Sequence, residues 1–259
     1  RNRHGLVTGV QTCALPICNY ICGIHPVTDA VLGGKKIEKV LFKQGMDSPH
    51  FRNLMELLQE KDISIQFAPI EKLNSLTRAN HQGVIAFLSQ VDYVSLEEMV
   101  AKAIENKKNP VIILLDGVSD VRNFGGIARS AECASADGII MPAKGSAAIN
   151  AESIKTSAGA LMRIPVAKVS NLREAIFYLS QSGFQIIAAT EKADKNIYDA
   201  DFSKATAVIL GSEDKGISKS SLSLANELVK IPITGVTGSL NVSVAASVVL
   251  FEIVRQRIV

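Results

Sequence analysis

The 259-residue sequence predicts an α/β protein, with a parallel sheet in its C-terminal part and a smaller mixed α/β unit before it. Three observations predict this. Beyond Pro110 four strands are apolar almost throughout: VIILLD (111–116), GIIMP (138–142), QIIAAT (185–190) and AVILG (207–211). Helical patterns at 124–136, 147–161 and 171–182 separate them. Apolar strands alternating with helices describe a parallel sheet covered on both faces. Before Pro110 short helices and strands alternate in a small mixed unit, and beyond it the texture changes.

In chain order, YICGIHPVTDAVLGGKKIEKVLFK gives a short helix from Pro26 to Leu32, a glycine stop at Gly33–Gly34 and a strand, KVLFK. A helix follows over HFRNLMELLQEKD, with Phe51, Leu54, Leu57 and Leu58 on one face. The strand SIQFAP, a helical turn from Ile70 to Leu76 and the apolar strand GVIAFLS complete a unit spanning 19–90. VDYVSLEEMVAKAIENKKNP reads as a connector with one amphipathic helix, which places a linker at 91–105 and the second unit at 106–259.

Composition bounds the function. A chain that is 47% hydrophobic and 20% charged is an ordinary globular protein. The C-terminal apolar run, GSLNVSVAASVVLFEIV, is followed by Arg255 and Arg257 and contains Glu252, so it is not expected to span a membrane. Residues 1–18 lack a clear period and closely resemble translated sequencing-adapter read-through, so they are set aside as non-native. Without Arg1 and Arg3 the formal charge falls from +3 to +1, 26 basic residues against 25 acidic, and any basic footprint must be local. Cys13, Cys18 and Cys22 fit no common zinc spacing, and Cys133 reads as a small core residue, so no metal is expected. With no disulfide framework and no targeting signal, the expected compartment is the cytoplasm.

In open α/β sheets, ligands gather at the carboxyl ends of the strands. Three such ends are rich in glycine and polar residues. In LLDGVSDVRNFGGIARSAE, Asn123 and Gly125–Gly126 open a helix that carries Arg129. The residues allow an anion site; the plainer reading is that Asn123 caps the helix, the glycines relieve crowding and Arg129 makes a surface ion pair. AVILGSEDKGIS nearly matches a phosphate loop, but Ile217 stands where lysine is required and Glu213 and Asp214 repel phosphate. Such a loop suits a ligand that is cationic or carries amines and hydroxyls. In the third, after LVKIPITGVTG, Ser239 is placed as a helix N-cap with Asn241 in the first turn. The alternation Leu240, Val242, Val244 resembles a strand, but a run of about 20 residues is better a helix. No H-E-x-x-H, G-x-S-x-G or Ser–His–Asp set occurs, so a catalyst on this sheet would have to use Arg, Glu, Ser and Asn.

Together N-F-G-G-I-A-R, G-S-E-D-K-G and I-P-I…S-L-N-V-S-V-A resemble, in order and spacing, the motifs of the SpoU (TrmH-type) RNA ribose 2′-O-methyltransferases. The resemblance covers about Pro110 to Val259. GIHPV, KVLFK and NHQGVIAFL are similar to the ribosomal-protein-like substrate-binding domain of the bacterial enzymes that methylate a guanosine in 23S ribosomal RNA. The resemblance implies a trefoil-knotted SPOUT domain, S-adenosylmethionine as cofactor without a metal, and ribosomal RNA as partner. It further implies a homodimer through the C-terminal knot helix. It implies catalytic roles for Arg129, Asn123, Glu213, Ser239 and Asn241, and cofactor contacts at Thr190, Gly211, Gly216, Ile231 and Leu240. A transfer-RNA 2′-O-methyltransferase of the same family and a non-catalytic RNA-binding assembly factor are the competing expectations.

Overall fold

The structure is a computed structural model that describes residues 20–89 and 91–258. The segment 1–18, with Cys13 and Cys18, lies outside the described residues. The first sheet holds β1 (Tyr20–Cys22), β2 (Ile37–Lys43), β3 (Ser64–Ala68) and β4 (Val84–Leu88) in the order β1-β4-β2-β3. β2 and β3 are parallel, and β4 runs antiparallel between β1 and β2. Alternating side chains of β2 point to opposite faces. Val40 and Phe42 pack under α1 (Ile24–Leu32) and α2 (Pro49–Glu60), while Leu41 meets Leu73 of α3 (Ile70–Leu76). Ser48 caps α2, accepting from the Phe51 N–H at 3.2 Å, with Pro49 at the first helical position.

The second sheet is parallel throughout, in the order β10-β8-β9-β5-β6-β7. Its strands are β5 (Val111–Asp116), β6 (Gly138–Pro142), β7 (Val166–Val169), β8 (Gln185–Ala189), β9 (Thr206–Gly211) and β10 (Glu227–Val229). One face is covered by α5 (Val121–Cys133), α6 (Ala151–Thr156) and α9 (Val242–Ile258), and the other by α4 (Leu96–Asn106), α7 (Leu172–Gln181) and α8 (Lys219–Leu222). Ile113 and Leu115 serve the first face; Ile112 and Leu114 serve the second. After β10, at the sheet edge, the chain turns back across the carboxyl ends of the strands and lays α9 along α5. Its last turns are tied to earlier chain: Gln256 bonds the Ala200 carbonyl and Phe202 N–H, and Arg257 donates to the carbonyls of Phe202, Asn109 and Lys204. That return path is what a trefoil-knotted domain requires.

Several details differ from the sequence expectation. β1, β7 and β10 are only three or four residues long, too short to show a period. The helix expected over 147–161 is α6 followed by a separate 3-10 turn, Ala160–Met162, because Gly159 takes φ +79° and breaks the run. Cys133 is exposed, not a core residue, since it falls on the outer ridge of α5. The connector helix α4 buries Met99, Val100 and Ala103 against the second sheet, and Tyr93 bridges to Val166 of β7.

Candidate functional site

The site begins at the carboxyl end of β9. There the chain turns back on itself: the Ser212 N–H donates to the Gly216 carbonyl (3.2 Å), and the Gly216 N–H to the Ser212 carbonyl (2.9 Å). This return brings Gly216 and Ile217 so close to Gly211 that a Cβ there would overlap the Gly216 carbonyl carbon and the Ile217 nitrogen. Gly211 is therefore fixed by close approach, and Gly216, at φ +67°, by the turn itself. Ser218 anchors the far side, donating from its N–H (2.9 Å) and hydroxyl (2.7 Å) to Asp116 at the end of β5.

The second wall is the segment leading from β10 into α9. Among the described residues, no backbone hydrogen bond is made by residues 231–240, and 232–240 are exposed. The segment ends at Asn241. Its side-chain oxygen accepts from the Ser243 N–H (2.9 Å) and hydroxyl (2.6 Å), which makes Asn241 itself the cap of α9. Ser239 is not the cap. It lies two residues earlier, exposed in the loop.

Once its oxygen is committed to the cap, the Asn241 amide is free to donate elsewhere. It donates to Asn123 Oδ1 at 2.9 Å and to a Glu213 carboxylate oxygen. Three distant stretches, at β5–α5, β9–α8 and β10–α9, thus meet at one carboxamide. Asn123 is free for this because Asp120 caps α5, accepting from the N–H groups of Arg122 and Asn123 at 2.9 Å each.

These walls enclose a cleft of about 590 Å³. Thr190, Gly211, Gly216, Ile231 and Leu240 all line it, as do Glu213, Ser239 and Asn241. Glu191, Lys192, Lys215 and Ile233 also line it and were missed in the sequence. Glu191 and Lys192 follow the end of β8, Lys215 lies in the return loop and Ile233 in the segment after β10, so position is the signal they share. Among the described residues, no three His, Cys, Asp or Glu side chains are grouped to hold a metal ion. No helix of the described residues is long and apolar enough to cross a membrane.

Arg129 stands apart. It is six residues beyond Asn123, about 9 Å along the helix, exposed, and among the described residues its side chain makes no hydrogen bond or ion pair. Within one chain Arg129 is not brought to this corner: it lies on the outer ridge of α5, whereas Glu213, Ser239 and Asn241 line the cleft and Asn123 is joined to them through Asn241. The glycine pair is a packing device. A Cβ on Gly125 would sit 2.7 Å from Thr156 Cβ, and one on Gly126 2.9 Å from Ser243 Cβ. The glycines let α6 and α9 approach α5 closely.

Residues 110–251 match the SpoU rRNA Methylase family, and residues 20–94 match the family described as RNA 2′-O ribose methyltransferase substrate binding. A putative TrmH family tRNA/rRNA methyltransferase of Staphylococcus epidermidis is 33% identical over 92% of this chain and 95% of its own. Among solved structures, the SpoU methyltransferase AviRb from Streptomyces viridochromogenes is 25% identical over 92% of this chain and 89% of its own, with a TM-score of 0.60. An AdoMet-bound rRNA methyltransferase from Sinorhizobium meliloti is 25% identical over 91% and 86%, with a TM-score of 0.59.

Proposed function

Because the chain belongs to the SpoU rRNA methylase family, we propose that it methylates the ribose 2′-hydroxyl of a guanosine in 23S ribosomal RNA, using S-adenosylmethionine. The observation that carries this reading is the Asn241 carboxamide, joining Asn123 and Glu213 at the mouth of a cleft built from strand-end loops.

The cleft fits the cofactor's chemistry. Glu213, Asp214 and Glu191 suit a sulfonium and an ammonium, and would repel a polyphosphate. Lys192 and Lys215 suit a carboxylate. Ile231, Leu240 and Ala245 offer apolar walls for a purine, and the unbonded backbone of 231–240 offers its donors and acceptors. Thr190, Gly211 and Gly216 complete the contacts.

When bound, S-adenosylmethionine supplies an electrophilic methyl group. The chain's part is to place the ribose hydroxyl in line and to manage its proton. Asn123, Glu213, Ser239 and Asn241 set the hydrogen-bonding frame at that point. Arg129 grips the target phosphate and orients the hydroxyl; a guanidinium holds its proton too tightly to make a good base. The substrate-binding match over 20–94 supports an RNA substrate. On this reading the working form is a cytoplasmic homodimer joined through α9.

The test is transfer of labelled methyl from S-adenosylmethionine to ribosomal and transfer RNA side by side, with mass spectrometry locating the ribose. Ribosomal RNA should be labelled, and Arg129→Ala should abolish transfer while cofactor binding stays within about twofold. Label in transfer RNA alone would move the substrate assignment. Label in neither would leave the non-catalytic assembly factor.

A further inference from the structure

Glu38 is a carboxylate in an unusual place. It lies in β2 of the first sheet, yet it is only 8% exposed and, among the described residues, its side chain bonds to Tyr93, Ile149 and Lys168, all beyond that sheet. The register of β2 on β4 explains how it gets there. Ile37 pairs with Leu88 and Lys39 with Phe87, so Glu38 is an extra residue at a bulge. A bulge bends its strand and re-aims the side chain out of the alternation.

The re-aimed carboxylate takes three donors. Lys168 Nζ of edge strand β7 reaches one oxygen at 2.8 Å, and the Ile149 N–H reaches the same oxygen at 3.4 Å. The Tyr93 hydroxyl donates to the other oxygen. Lys168 Nζ also lies 4.5 Å from the centre of the Tyr93 ring. Burial, with the Glu38 charge beside it, pushes the Tyr93 hydroxyl pKa up, so the phenol stays a donor. The neighbouring pair Lys36–Asp92 (2.6 Å) is exposed and contributes little.

Ile149 connects this cluster to the cleft. Asn150, next in the chain, opens α6 with a capping box. Ser153 and Thr156 of α6 pack on Gly125 of α5, two residues from Asn123. The elements linked to Glu38 are thus continuous with those that carry the catalytic corner.

We propose that Glu38 is a positioning residue for the RNA reaction: its buried cluster with Lys168, Tyr93 and Ile149 fixes the first sheet, and RNA held on it, at one placement relative to the cleft. This rests on the functional reading above. It makes the preferred substrate a folded RNA that spans both sheets with a set distance between its two contacts.

The experiment compares full-length Glu38→Gln, Tyr93→Phe and Lys168→Arg with the parent chain on folded ribosomal RNA. For Glu38→Gln the RNA KM should rise about tenfold, because one partner of a buried pair is lost. Tyr93→Phe removes a single hydroxyl and should raise it about threefold. Lys168→Arg keeps the ion pair and should stay within about twofold. In every variant kcat at saturating RNA and the Kd for S-adenosylmethionine should stay within about twofold of the parent. An unchanged RNA KM in Glu38→Gln would overturn the proposal, as would kcat and cofactor affinity falling in step with it. If Glu38→Gln does not fold, Tyr93→Phe decides by the same readouts. RNA Kd by filter binding is measured alongside: a parent chain that binds RNA but transfers no methyl overturns the functional reading, and the variants' Kd values then decide the positioning role.

Discussion

Asn241 shows how much one side chain can be asked to do. Its oxygen caps α9 and its amide donates to Asn123 and Glu213. Asn241→Asp separates these tasks. An aspartate caps as well as asparagine, but it cannot donate and sets a second carboxylate against Glu213. Methyl transfer should fall by about 100-fold while the melting temperature changes little, read by single-turnover kinetics and thermal denaturation. Asn241→Ala should lose activity and also about 1 kcal/mol of stability, since the cap goes too. Equal transfer rates for the parent and Asn241→Asp would mean that the donations do not matter to the reaction. The residue types at this corner are legible in the sequence, because glycine and polar residues cluster at the carboxyl ends of three apolar strands. Their division of labour is not legible. Ser239 and Asn241 are both acceptable caps, and only the true start of α9 at Val242 decides between them. The setting of Arg129 is hidden for a similar reason: sequence distance from Asn123 does not say which side of α5 faces the cleft.

At the scale of elements, the packing of α5 against α6 and α9 depends on small residues. Ser130 of α5 and Ser247 of α9 share a hydrogen bond at 2.7 Å, one turn from the contact between Gly126 and Ser243. On the other side, a methyl group on Gly125 would also fall 2.9 Å from the Ser153 carbonyl oxygen. Gly125→Ala should therefore cost about 1–3 kcal/mol by overpacking, despite alanine's better helix propensity. Gly235→Ala, where a Cβ meets nothing within 4 Å, serves as the control and should melt like the parent. A stabilised Gly125→Ala would show that α6 can shift at little cost. The long strands of the second sheet are legible because burial on both faces writes a continuous apolar run. The short strands β7 and β10 are placed by their neighbours, and nothing local marks them. The start of α9 alternates like a strand, and only the apolar run behind it identifies a helix.

The order of the strands, with β10 at one edge and β7 at the other, follows from the path of the whole chain and from no single motif. That path leaves α9 with two apolar faces. Ala246, Val249, Leu250 and Ile253 enter the core. On the opposite side Val244, Phe251 and Ile258 recur every seven residues and are 47%, 50% and 77% exposed. A heptad stripe on the outside of a helix calls for a covering partner, and a second copy of α9 about a twofold axis would bury the stripe against itself. Phe251→Glu should then convert a dimer into a monomer in sedimentation velocity, with the far-ultraviolet circular dichroism unchanged because the side chain is not part of the subunit core. Leu240 lines the cleft and lies four residues before Val244, so the stripe begins where the cleft ends. Loss of the dimer should for that reason lower methyl transfer as well. A parent chain that sediments as a monomer would remove the dimer, and a monomeric Phe251→Glu with full activity would show that one subunit completes the site.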